Sequence, residues 1–150
     1  SVAVTGVQTC LPISTPETIA RERHFFVGLS DITQALDGHV LPESAHVAQL
    51  LDFVRGWDRR EPLLIHCYAG VSRSTAAAYI SYCALHPEAC ERETAQRLRQ
   101  LSPTATPNAR LIELADAHLQ REGRMIAAIQ AIGRGEDCFE GTPFAFEVAA

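Results

Sequence analysis

Cys67 and Arg73 stand with five residues between them in the stretch PLLIHCYAGVSRS, residues 62–74. The apolar run after Pro62 reads as a buried strand, and STAAAYISYCALH, residues 74–86, as a buried helix. The pair therefore brackets a strand-to-helix loop. Such a loop binds anions, because the first N–H groups of a helix lack intrahelical partners and the helix dipole adds positive charge there. Gly70 can adopt the positive φ that turns successive amides inward. A sulfur at the loop's first position shares that cradle, which lowers a thiol below its free pKa of about 8.5 and leaves a thiolate. Arg73 closes the loop with a fork of N–H donors suited to two oxygens of a tetrahedral oxyanion. The chemistry on offer is attack by sulfur on a phosphoryl group cradled by Tyr68, Ala69, Gly70, Val71, Ser72 and Arg73. Ser74 has two readings: a hydroxyl that donates to the sulfur, or simply an early residue of the following helix. His66 has two as well, orienting the loop from below through its ring nitrogens or sitting as a buried strand histidine bonded to backbone.

The string H-C-Y-A-G-V-S-R-S resembles the signature of the protein tyrosine phosphatase superfamily: His-Cys, five residues with a central Gly, Arg, then Ser or Thr. The resemblance implies an α/β fold, with a small central sheet of mostly parallel strands flanked by helices. It also implies a cysteine-dependent phosphomonoesterase that forms a cysteinyl-phosphate and needs no cofactor or metal. It spans about residues 24–120, although only the loop is specific, and the last thirty residues match no feature of the family. With 66 residues before Cys67, the chain resembles the compact, dual-specificity-like branch, of a bacterial type, rather than the large tyrosine-specific enzymes.

A phenolate or alkoxide leaving group needs a proton. In the family this comes from an Asp on a loop upstream of the cysteine, and two residues here qualify. Asp37 lies 30 positions before Cys67, in DGHVLPES, a string that resembles the family's acid loop. Asp31 lies 36 positions before it, at the end of the strand HFFVGL. Spacing and the Pro-Glu-Ser helix start favour Asp37, whereas a rigid strand end favours Asp31. Downstream, PTATPN resembles the Pro-Asn of compact dual-specificity phosphatases, 41 positions after Cys67 in the case of Asn108. Asn108 then either helps place the hydrolytic water or caps a helix.

These residues need elements to hold them. VAV (2–4) and HFFVGL (24–29) read as strands before the one that ends in Cys67. Pro42 suits the first position of a helix on which Val47, Leu50, Leu51, Val54 and Trp57 share an apolar face. After the buried helix, ERETAQRLRQL (91–101) reads as a charged surface helix, and Asn108 opens another bearing Leu111, Ile112, Leu114, Ala115 and Leu119. A last helix carries Met125, Ile126, Ile129 and Ile132, and the tail from 134 reads as irregular. The whole chain of 150 residues is expected to form one phosphatase domain.

Composition limits the partners. A net charge of −5 argues against nucleic acid, which calls for a basic face, but not against a phosphorylated protein or small phosphomonoester. No apolar run approaches a membrane span, so no membrane insertion is expected, and SVAVTGVQTCLPIS lacks the basic flank and apolar core of a signal peptide. Cys10, Cys67, Cys83, Cys90 and Cys138 are odd in number, scattered and without a C-x-x-C pair, which points to a reducing, cytoplasmic compartment. His24, His39, His46, His86 and His118 show no ligand spacing. The rivals are weaker. A phosphoinositide or other small-molecule phosphatase of the superfamily would place Lys in the loop, which here holds Tyr-Ala-Gly-Val-Ser. A sulfurtransferase would use a shorter loop, and an arsenate reductase would need a thiol relay, whereas Cys83 and Cys90 read as small apolar residues. A non-catalytic phosphate-binding module would usually have lost the nucleophile or the arginine.

Overall fold

Strand-forming sequence lies entirely before the Cys67 loop, and everything after it is helical or irregular. The computed structural model describes residues 3–7 and 14–148. Cys10 and most of the N-terminal stretch tested for a signal peptide lie outside the described residues. β1 (Ala3–Val7), β2 (His24–Val27) and β3 (Leu63–Cys67) form a parallel sheet in the order β2-β1-β3. Val7 pairs in register with both Val27 and Cys67, so the three strands end level. Residues just beyond β2 and β3 therefore meet at the carboxyl edge of the sheet, where ligands of open parallel sheets bind.

Five helices complete the architecture: α1 (Ser44–Arg55), α2 (Arg73–Leu85), α3 (Glu91–Leu101), α4 (Ala109–His118) and α5 (Arg124–Ile132). Pro42 is not the first helical residue. Glu43 caps α1 reciprocally with His46, whose Nδ1 accepts from the Glu43 N–H at 2.9 Å, so the helix starts at Ser44 and Pro42 is buried just outside it. Trp57 likewise falls beyond α1, its indole N–H donating to the Glu61 carbonyl at 2.8 Å.

α2 packs against β3, α1, α3 and α4, which is why its sequence is apolar on nearly every side. Ala76, Ala77, Tyr79, Ile80 and Cys83 are all buried, and the Tyr79 hydroxyl donates to the Glu91 carbonyl. The far end of α2 is tied down by Arg121. Its guanidinium donates to the Cys83 carbonyl at 2.7 Å and to the Glu91 carboxylate at 2.6 Å, and both charged groups are buried. Arg121→Met would strand the Glu91 charge with only the half-exposed Arg124 as partner. We expect a loss of about 3–5 kcal/mol in a denaturant unfolding titration. Among the described residues no helix is long and apolar enough to cross a membrane.

Candidate active site

β3 delivers Cys67 to the sheet edge, and α2 begins at Arg73, so the loop joining them runs directly from one to the other. Gly70 has φ +70°, as the inward turn of the amides requires. The loop carbonyls are all taken from outside. Ala69 O accepts from the Gly141 N–H at 2.8 Å, Val71 O from the Thr106 N–H at 2.9 Å, and Ser72 O from the Asn108 N–H at 3.2 Å. The Thr75 hydroxyl also donates towards Val71 O at 2.6 Å and Ser72 O at 3.0 Å. In a planar trans peptide the N–H points opposite to the carbonyl. Holding these three carbonyls outward therefore turns the Gly70, Ser72 and Arg73 amides into the loop.

The sulfur of Cys67 sits 3.1 Å from the Ser74 hydroxyl. Burial pushes its thiol up, but hydrogen bonds from the Ser74 hydroxyl, the Ser74 and Gly70 amides and the charge of Arg73 outweigh burial, and the net shift is downward. Cys83 shows the contrast: fully enclosed in α2, it is driven by burial up to about 12. Arg73 is buried, and its Nη1 donates to the Leu29 carbonyl just beyond β2 at 3.2 Å. That bond aligns the guanidinium with the loop. Tyr68 is 81% exposed at the rim.

The two aspartates are separated by the shape of their segment. Ser30 and Val40 close the neck of a loop, with Ser30 N–H donating to Val40 O at 2.8 Å and Val40 N–H to the Ser30 hydroxyl at 3.1 Å. Asp31 sits at this neck, and its Oδ1 accepts from the Ser72 hydroxyl at 2.7 Å and from the Asn108 amide at 2.8 Å. Asp37 sits near the tip, exposed, inside the turn in which the His39 N–H donates to Leu36 O. Only Asp31 is held against the loop. Asn108 does two jobs at once. Its Oδ1 caps α4 by accepting from the Leu111 N–H at 3.1 Å, and its amide group holds Asp31 and the Ile32 carbonyl.

His66 is placed differently from the expectation that it orients the loop. It lines a cavity beside β3, and among the described residues its ring makes no hydrogen bond to the loop. The outer carbonyls are instead held by Thr75, Thr106, Asn108 and Gly141. Sequence reasoning missed Thr75, Thr106 and Gly141, since backbone donors carry no residue-type signature. The cavity measures about 850 Å³ and lies between β3, α2 and residues 140–148, with Cys67 and Ser74 in its wall.

The family model for protein-tyrosine phosphatase matches residues 35–103 of the chain. The matched stretch contains Asp37, Cys67, Arg73 and Ser74, and leaves Asp31 and Asn108 outside. No curated protein matches the chain.

Proposed function

Because the chain belongs to the protein tyrosine phosphatase superfamily and its matched domain is that of a phosphatase, we propose that it hydrolyses phosphotyrosine or a similar singly phosphorylated substrate through a cysteinyl-phosphate. In this reading it acts as one catalytic domain of the compact, dual-specificity-like kind in a reducing compartment. The observation that carries the proposal is the setting of Cys67: a thiol drawn towards its anion at the mouth of a loop with inward amides, beside a buried arginine. A loop without lysine offers charge for one phosphate and none for a polyphosphorylated head group.

The mechanism follows from the groups in place. The loop amides and Arg73 bind the three equatorial phosphoryl oxygens, and the Cys67 thiolate attacks phosphorus opposite the leaving oxygen. As the P–O bond breaks, Asp31 passes its proton to that oxygen. Both bonds to Asp31 fall on Oδ1, which leaves Oδ2 to carry the proton. In the second half, water attacks phosphorus, the Asp31 carboxylate takes the water proton, and the S–P bond breaks. The Ser74 hydroxyl donates to the departing thiolate. No step requires a metal.

An aryl phosphate assayed with a chelator present tests the proposal. We expect sustained turnover and, on acid quenching, phosphate bound covalently to the protein. Hydrolysis that depends on added metal, or no hydrolysis across the pH range, would exclude it.

A further inference from the structure

The tail that follows α5 does not trail into solvent. Its root is pinned to the 103–108 turn, where the Gly135 N–H donates to the Thr106 hydroxyl at 3.0 Å and the Glu136 N–H to Pro103 O at 3.0 Å. Farther on, Phe146 packs its ring against Tyr82 of α2 at 5.2 Å between centroids, with Arg97 over its face at 5.9 Å. Between these anchors the backbone meets the Cys67 loop. The Gly141 N–H donates to Ala69 O at 2.8 Å, and a Cβ at position 141 would fall 2.5 Å from the Gly70 carbonyl oxygen. Only glycine allows that approach. Glu140, Gly141, Thr142 and Phe144 also form the wall of the cavity that faces Cys67.

We infer that residues 135–146 are a strap that completes the catalytic loop, with Gly141 as a positioning residue that fixes the peptide between Ala69 and Gly70. That peptide matters more than its neighbours. Its carbonyl faces the strap, so its N–H, belonging to Gly70, faces the sulfur. The Gly70 amide is one of the groups that stabilise the Cys67 thiolate. Thr106 reinforces the coupling, since it holds Val71 O with its N–H and receives the strap root on its hydroxyl. The inference rests on the phosphatase reading for its catalytic consequence, whereas its effect on the sulfur is independent of it.

Gly141→Ala is the direct test. The added methyl must push the strap off the Gly70 carbonyl and break the bond to Ala69. With the Gly70 amide released, alkylation of Cys67 by iodoacetamide at mildly acidic pH should slow about tenfold, and its pH profile should move to the alkaline side. The kcat/KM for an aryl phosphate should fall by a similar factor. Asp137→Asn, in the same tail but outside these contacts, serves as the control and should leave the alkylation profile in place. If Gly141→Ala does not fold, Phe146→Ala removes the far anchor instead, and a smaller shift in the same direction is expected. A folded variant with an unmoved alkylation profile would overturn the strap. The phosphatase reading fails separately, through a Cys67→Ser protein that keeps its turnover.

Discussion

Replacing Cys67 with serine is expected to reduce aryl phosphate turnover by a factor on the order of 10⁴–10⁶ while leaving phosphate binding nearly intact. The reasoning begins with what the substitution preserves. Serine is almost the same shape, so the outward bonds from Thr106, Asn108 and Gly141 and the inward amides remain. What changes is the acidity of the nucleophile. The loop lowers a thiol far enough to keep an attacking anion, but an alkanol starts too high for the same groups to ionise it. The native protein provides the complementary measurement. Burial raises the Cys67 thiol, but the Ser74 hydroxyl, the Ser74 and Gly70 amides and Arg73 bring it below the ordinary thiol range. Because the shift is downward, thiolate persists as pH falls through that range and disappears only on the acid side of it. Alkylation should therefore stay fast where free thiols slow, and inorganic phosphate should protect against it. Cys83, driven up to about 12 and fully buried, should not compete for reagent. A Cys67→Ser protein with native turnover, or alkylation that follows a free thiol, would remove sulfur from the mechanism.

The loop itself was readable because its chemistry is local. Cys, Gly and Arg at fixed offsets, between an apolar run and an apolar helix, define an anion cradle with few geometric alternatives, and the structure shows the positive φ at Gly70 and the helix start at Arg73. The helices were readable for a related reason, since Val47, Leu50, Leu51 and Val54 repeat at helical spacing and all four are buried. What spacing could not resolve was the relation between distant segments. Ser72 meets Asp31 across 41 positions, and Asn108 meets it across 77. Neither bond leaves a pattern along the chain. Position in a loop also proved more informative than distance from Cys67. Asp37 has the more family-like neighbours, but the Ser30–Val40 closure leaves it at the tip and Asp31 at the neck. The tail was opaque because its contacts are made by backbone, and a Gly141 that must approach Gly70 looks in sequence like any turn glycine.

Asp31→Asn should lower kcat by roughly 10²–10⁴ on a substrate with a basic leaving group, and by less on one whose leaving oxygen needs no proton. The substitution suits the site. An asparagine Oδ1 can still accept from the Ser72 hydroxyl and the Asn108 amide, so the neck of the loop stays in place and only the transferable proton is lost. The alkylation rate of Cys67 should be nearly unchanged, because neither Asp31 nor its partners Ser72 and Asn108 are among the groups that lower the thiol. The alkaline limb of the kcat profile, set by loss of the acid, should disappear with Asp31. Asp37→Asn, at an exposed tip, should change kcat by no more than about twofold. The comparison across leaving groups separates proton donation from simple damage to the loop. A damaged loop would slow every substrate alike and would also change alkylation. If Asp37→Asn instead carries the leaving-group-dependent loss, the 30–40 loop must swing its tip over the phosphate during turnover, and the Ser30–Val40 closure becomes its hinge.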